Sequence, residues 1–179
     1  MSNSTVIIIV ICLTFLCLCS SSIAGGGVYY YEHNSPAPAP APTPATNSLV
    51  LITRWYNAST GQHQDGISSP GTGWTQDTVS YNVFTKQVTG TVPVYLLQNP
   101  NNHNLYITTV IPNEATWTPV STLGYAWSSV PTTKAYNQMY RMYNSSTSDH
   151  TTSLSTTEGA PAYAYDGTSF YAPTTGSLT

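Results

Sequence analysis

His63 and His150 are the side chains with which any chemistry in this sequence would begin. Asp65 lies two residues beyond the first, and Asp149 adjoins the second. A metal site or a general acid–base pair is one reading of that pattern. Each histidine, however, stands six residues after an asparagine, Asn57 or Asn144, within stretches that resemble each other. Residues that recur at equivalent places in a repeat share one structural task, such as bracing a turn with hydrogen bonds. Two histidines from different repeats would also sit apart around a threefold axis. The structural reading is therefore preferred. Gly-x-Ser-x-Gly, His-Glu-x-x-His and phosphate-loop motifs are absent. The seven acidic residues are too scattered to nominate a glycosidase pair. The expectation is a nonenzyme, with no catalytic residue, no metal ligand and no cofactor.

Two other residue classes invite a functional reading. Trp74 and Trp117 are candidates for stacking on sugar rings; the competing reading, favoured by their bulk and fixed phase, is core or cap packing. Asn57-Ala-Ser and Asn144-Ser-Ser are acceptor sequons, which makes Asn57 and Asn144 candidate N-glycosylation sites.

The elements that position these residues come in three copies. "ITRWYNASTGQH" (52–63) aligns with "MYRMYNSSTSDH" (139–150), and "YLLQNPNNHNLYITT" (95–109) lies between them. Asn57, Asn99 and Asn144 share one place, separated by 42 and 45 residues. In the middle copy Leu105 stands at the histidine position. Trp74 and Trp117 follow their asparagines by 17 and 18 residues, whereas the third copy has "EGAPAYAY" there, without a tryptophan. Such a period signals repeated supersecondary units. "LVLITRWY", "VPVYLL", "LYITTVI" and "QMYRMY" are rich in β-branched and aromatic residues. "NASTG", "NPNNHN" and "NSSTSD" carry turn chemistry. No stretch has convincing helical periodicity. The expected fold is all-β: a threefold pseudo-symmetric, β-trefoil-like domain over 49–179, with repeats of about 49–92, 93–136 and 137–179 and roughly four short strands in each. A β-sandwich is the alternative.

The copies resemble a family of secreted tandem repeats of unknown function, with units of the type Leu-Tyr-Arg-Leu-Tyr-Asn-Pro-x-Thr-Gly-Asp-His-Phe-Tyr-Thr-Thr followed by Gly-Trp. The matching residues are "RWYN" (54–57), Thr60, Gly61, His63, Gly73 and Trp74 in the first copy. In the second they are "NPN" (99–101), Thr108, Thr109 and Trp117, and in the third "YRMYN" (140–144), Asp149 and His150. The family often accompanies secreted hydrolases as an attached module. The resemblance thus implies surface or glycan binding and supplies no catalytic residues.

Ahead of the repeats the chain changes character. Residues 1–24 hold an apolar run, from about 6 to 19, followed by small residues. Ser22 and Ala24 suit cleavage before Gly25, so a signal peptide is expected and a retained anchor is the alternative. The three cysteines, Cys12, Cys17 and Cys19, all lie in that leader. A mature chain beginning at Gly25 would have no disulfide to rely on.

Residues 25–48 contain "GGGVYYYEH" and then "NSPAPAPAPTPATN". Each proline fixes its own φ and pushes the preceding residue away from helix, so 36–44 should form a polyproline-II rod of roughly 28 Å. The Ala-Pro, Ser-Pro and Thr-Pro dipeptides resemble those of arabinogalactan and hydroxyproline-rich glycoproteins. That resemblance makes Pro36, Pro38, Pro40, Pro42 and Pro44 candidate O-glycosylation sites, with Ser35, Thr43 and Thr46 as further ones; a plain stiff linker is the alternative. Val28, Tyr29, Tyr30 and Tyr31 form a short segment suited to pairing with a sheet edge.

Four basic residues against seven acidic ones leave a formal net charge of −3. That balance offers no counterion-releasing face for nucleic acid. Weak charge also does little to oppose self-association. The expected protein is a secreted, noncatalytic glycoprotein of an extracellular coat, wall or filament, self-associating through its N-terminal segment and free of the membrane once the leader is removed. Its partners would be glycans, covalent or bound, and copies of itself. A lectin-like carbohydrate-binding module is the alternative function.

Overall fold

A computed structural model describes residues 47–178. The leader, the 28–31 segment and the Ala-Pro stretch with its candidate sites from Ser35 to Thr46 lie outside the described residues.

The described chain is all-β apart from one short 3-10 turn at Thr175–Leu178. The first copy contains β1 (Leu49–Asn57), β2 (Gln62–Gly66) and β3 (Trp74–Phe84). The second contains β4 (Thr91–Asn99), β5 (Asn102–Thr109) and β6 (Thr118–Trp127), and the third β7 (Tyr136–Asn144), β8 (Asp149–Ser153) and β9 (Ala164–Pro173). Each copy has the same local plan. Its first strand is central and pairs antiparallel with the second across a tight turn and with the third on its other side.

Three strands per copy, rather than the expected four, follow from the length of the third. No glycine or proline interrupts the sequence from Trp74 to Phe84, which forms the single strand β3. Between copies the ladders are minimal: Phe84 pairs with Tyr125 to link β3 to β6, and Trp127 pairs with Tyr171 to link β6 to β9. The result is an open, nine-stranded antiparallel sheet among the described residues.

The repeat asparagine explains the turn after each central strand. Asn57 Oδ1 accepts from Ser59 N at 3.0 Å, Asn99 Oδ1 from Asn101 N at 2.9 Å, and Asn144 Oδ1 from Ser146 N at 3.0 Å. A side-chain acceptor placed two residues back satisfies a donor that the reversing backbone leaves unpaired.

Five residues before each asparagine stands a core side chain. Ile52, Val94 and Met139 are all fully buried and belong to one cluster with Tyr81, Leu123 and Phe170 from the third strands. The Tyr81 and Phe170 rings meet at 5.4 Å. Where β6 crosses β3 the backbones come close. Gly124 has φ +153°, and a Cβ there would lie 2.7 Å from Phe84 O. Only glycine allows that approach.

Candidate functional site

The second strands, β2 and β8, are short and polar, and alternation of apolar residues does not mark them in the sequence. They nevertheless pack together, and their polar residues do the joining. Three residues before the repeat asparagine, the first and third copies carry arginine. Arg54 is 3% exposed. Its Nε donates to Asp77 Oδ2 at 2.8 Å, its Nη1 to the Thr152 carbonyl at 2.6 Å, and its Nη2 to Glu158. Asp77 belongs to the first copy, whereas Thr152 and Glu158 belong to the third.

Arg141 repeats the pattern one copy earlier. Its Nε donates to Asp166 Oδ2 at 2.7 Å, within the third copy, and its Nη1 to Glu114 of the second. Burial opposes both guanidinium charges, but the paired carboxylates more than reverse this and raise both pKa values above the usual arginine range. At the same place in the middle copy stands Leu96, which is buried. Two of the three equivalent positions are therefore ionic, and one is apolar.

The histidines and their aromatic neighbours follow the same rule. Tyr56 faces His63 across β1 and β2, with ring centroids 4.8 Å apart. Tyr143 faces His150 across β7 and β8 at 4.6 Å. A second aromatic reaches each histidine edge-on from the preceding copy: Trp117 to His150 at 5.6 Å, and Tyr163 to His63 at 6.0 Å. Tyr163, within "EGAPAYAY", thus stands in for the tryptophan that the third copy lacks. An aromatic 18 or 19 residues beyond the repeat asparagine was the signal that could have found it.

His63 is held from several sides. Its Nδ1 lies 2.7 Å from Asp149 Oδ2, its backbone N donates to Asp149 Oδ1 at 2.9 Å, and its Nε2 lies 3.3 Å from Asp77 Oδ2. Asp149 Oδ2 thus meets the Nδ1 edge of the ring. Tyr163 Oη donates to the same Asp149 oxygen at 2.6 Å. Burial first, and then Asp149, pushes the Tyr163 phenol well above its ordinary range. The acid beside His150 in sequence is therefore the partner of His63 in space.

His150 Nδ1 has no hydrogen-bond partner among the described residues; Asp166 Oδ2 is 3.7 Å away. Burial, followed by Arg141, holds the His150 pKa below 6.5. The expected wide separation of the two histidines is not observed. Both line one small polar cavity of about 10 Å³, together with Asp65 and Arg141, because β2 and β8 pack against each other. That space suits about one water molecule. Asp65 accepts from Tyr81 Oη at 2.8 Å and from Thr152 Oγ1. Among the described residues no group of three or more His, Cys, Asp or Glu is arranged to hold a metal ion.

A larger cleft, of about 400 Å³, opens beside His63 where the first and third copies meet. Tyr56, Thr75, Gln76, Asp77, Asn144, Thr147 and Tyr163 line it. Trp74 and Trp117 are half-buried and do not line this cleft. Of the two sequon asparagines, Asn57 is partly exposed while Asn144 is only 8% exposed and faces the cleft.

A family model described as a domain of unknown function (DUF5648) matches residues 27–125, more than half of the chain. The chain belongs to the DUF5648 family. The DUF5648 match takes in the first two copies as far as β6, whereas Asn144, Asp149, Glu158 and Tyr163 lie beyond its end. No curated protein and no solved structure matches the chain. Among the described residues no helix is long and apolar enough to cross a membrane.

Proposed function

We propose that this DUF5648 protein is a secreted, noncatalytic glycoprotein that serves as a structural or adhesive component of an extracellular coat, wall or filament. The observation that carries the reading is the use made of charge. Every carboxylate among the described residues bonds a neighbouring side chain: Asp65 to Tyr81, Asp77 and Glu158 to Arg54, Glu114 and Asp166 to Arg141, and Asp149 to His63 and Tyr163. Glu158, Glu114, Asp149 and, through Thr152, Asp65 tie one copy to another, while Asp77 and Asp166 hold the arginines within their own copies. The matching local plan of the three copies, together with the Arg54–Glu158 contact between first and last, supports a trefoil-like threefold arrangement. In this reading an extended arm over 25–48, with a polyproline-II rod at 36–44, carries sugars at its prolines and holds the module away from the surface to which it belongs.

Assembly would use the 28–31 segment. Between Trp74 and Val83, β3 pairs only with β1 among the described residues, which leaves a strand edge of the kind that accepts an added strand. Sedimentation of the full chain over a concentration series tests this. Assembly should grow with concentration and disappear when residues 25–47 are deleted. A monomer at every concentration, or assembly unaffected by the deletion, contradicts the structural role. Mass spectrometry of the natural protein tests the rest, reading cleavage before Gly25 and modification of the prolines together.

The cleft beside His63 favours a second reading, a lectin-like carbohydrate-binding module. Its lining is aromatic and hydroxyl- or amide-bearing, as sugar recognition requires.

A further inference from the structure

We propose that the cleft where Tyr56 and Tyr163 flank His63 is a binding site for a neutral pyranose sugar. The inference rests on the carbohydrate-binding reading and assigns the site to residues other than the two tryptophans.

The cleft's volume of about 400 Å³ falls within the range of small-ligand pockets, about 300–1,000 Å³. Its walls are fixed before any ligand arrives. Asp149 is fully buried and receives hydrogen bonds from Tyr163 Oη and from the backbone of His63, with His63 Nδ1 on the same carboxylate. Tyr56 packs against that imidazole, with ring centroids 4.8 Å apart. A pocket held open in this way loses little entropy on binding.

The lining supplies what a sugar needs. Tyr56 presents an aromatic ring against which the C–H face of a pyranose can lie. Gln76 offers an amide that both donates and accepts, and Thr75 and Thr147 offer hydroxyls that do the same. All three are exposed at the rim of the cleft.

Charge selects among sugars. Arg54 is spent on Asp77, Glu158 and the Thr152 carbonyl and is almost wholly enclosed. The ionised group that fronts the cleft is Asp77, whose side chain is 21% exposed. Asp77 already accepts from Arg54 and from the Thr78 amide, and no Lys or Arg among the described residues lines the cleft, so an anionic ligand would meet no counter-charge there. A uronic acid or a sulfated sugar is thereby disfavoured.

The test uses the full chain and saturation-transfer NMR with the methyl glycosides of glucose, galactose, mannose and glucuronic acid. At least one neutral glycoside should bind saturably, and the glucuronide should bind roughly tenfold more weakly or not at all, a difference of about one charge-assisted contact. Gln76→Ala should weaken that binding roughly five- to tenfold, the loss of a hydrogen bond, and Thr147→Trp should abolish it by filling the cleft. Both positions are exposed, so unchanged melting temperatures will show that the variants fold. Trp74→Ala and Trp117→Ala should leave affinity within about twofold, a difference below 0.5 kcal/mol. If binding survives Gln76→Ala and Thr147→Trp but is lost in a tryptophan variant, the site assignment fails while the carbohydrate-binding reading stands. If the glucuronide binds as well as the neutral glycosides, the neutral assignment fails. If none of the four binds, both the site and the carbohydrate-binding reading fail.

Discussion

Arg54, on the first strand of the module, donates through Nη2 to Glu158, from the loop that precedes the last strand. The two residues are separated by most of the folded sequence, and their contact ties the first copy to the third. Because the guanidinium also bonds Asp77 and the Thr152 carbonyl, one buried cation organises three segments at once.

Removing that cation should be costly. Arg54→Leu places the middle copy's own residue at this position but leaves Asp77 and Glu158 facing each other. Breaking a fully buried pair costs about 3–5 kcal/mol; both acids here retain some solvent, so a loss of about 2–3 kcal/mol is expected. Urea unfolding monitored by tryptophan fluorescence gives the value. A double-mutant cycle with Glu158→Gln should show coupling of about 1 kcal/mol or more. Strict additivity would mean that the contact contributes nothing.

Acid should weaken the module in two stages. His150 sits below its ordinary 6.5 because burial, and then Arg141, disfavours its charged form. The unfolded chain therefore binds that proton more readily. The stability from neutral His150 is complete above pH 6.5 and declines as pH falls through that value toward its lower folded one. Burial pushes the Glu158 carboxyl up, but Arg54 and Ser153 more than reverse this and bring it below 4.5. Asp77 is likewise brought below 3.8, against its burial, by the Thr78 amide and Arg54. Their contribution persists above those values and is lost as pH falls through the folded ones. Melting temperatures between pH 8 and pH 3 should thus decline first near pH 6 and again below about pH 4.5. His150→Gln should remove the first step and keep the second.

Gly124→Ala should be among the more damaging small substitutions. It combines a positive φ with contact against the Phe84 carbonyl and the Val83 side chain, on the strand crossing that links the first two copies. A loss of about 2 kcal/mol is expected by denaturant unfolding. Gly61→Ala, whose added Cβ meets nothing, should lose less, since only its φ of +69° opposes the change.

The two sequons should differ in occupancy. Asn57 is partly exposed, whereas Asn144 is 8% exposed and lines the cleft. Peptide mapping of protein from a glycosylating host should find sugar at Asn57 in clear excess over Asn144. Equal occupancy would require the turn that Asn144 anchors to open before folding is complete.

Composition, periodicity and turn chemistry carry much of this molecule without reference to its structure. β-Branched and aromatic runs between Asn-rich turns made β1, β4, β5 and β7 legible. The repeat phase singled out Asn57, Asn99 and Asn144, because period and turn formation depend on neighbours only a few residues apart. Strands β2 and β8 were illegible for the converse reason: they are short, polar, and buried by contacts that arise only once the copies meet. The same holds for the cleft. Asp149 adjoins His150 along the chain yet bonds His63, and Tyr163 completes a histidine environment a hundred residues away. Such partnerships depend on long-range packing of one copy against the next. Local spacing contains no information about which copy an Arg or Asp side chain will reach.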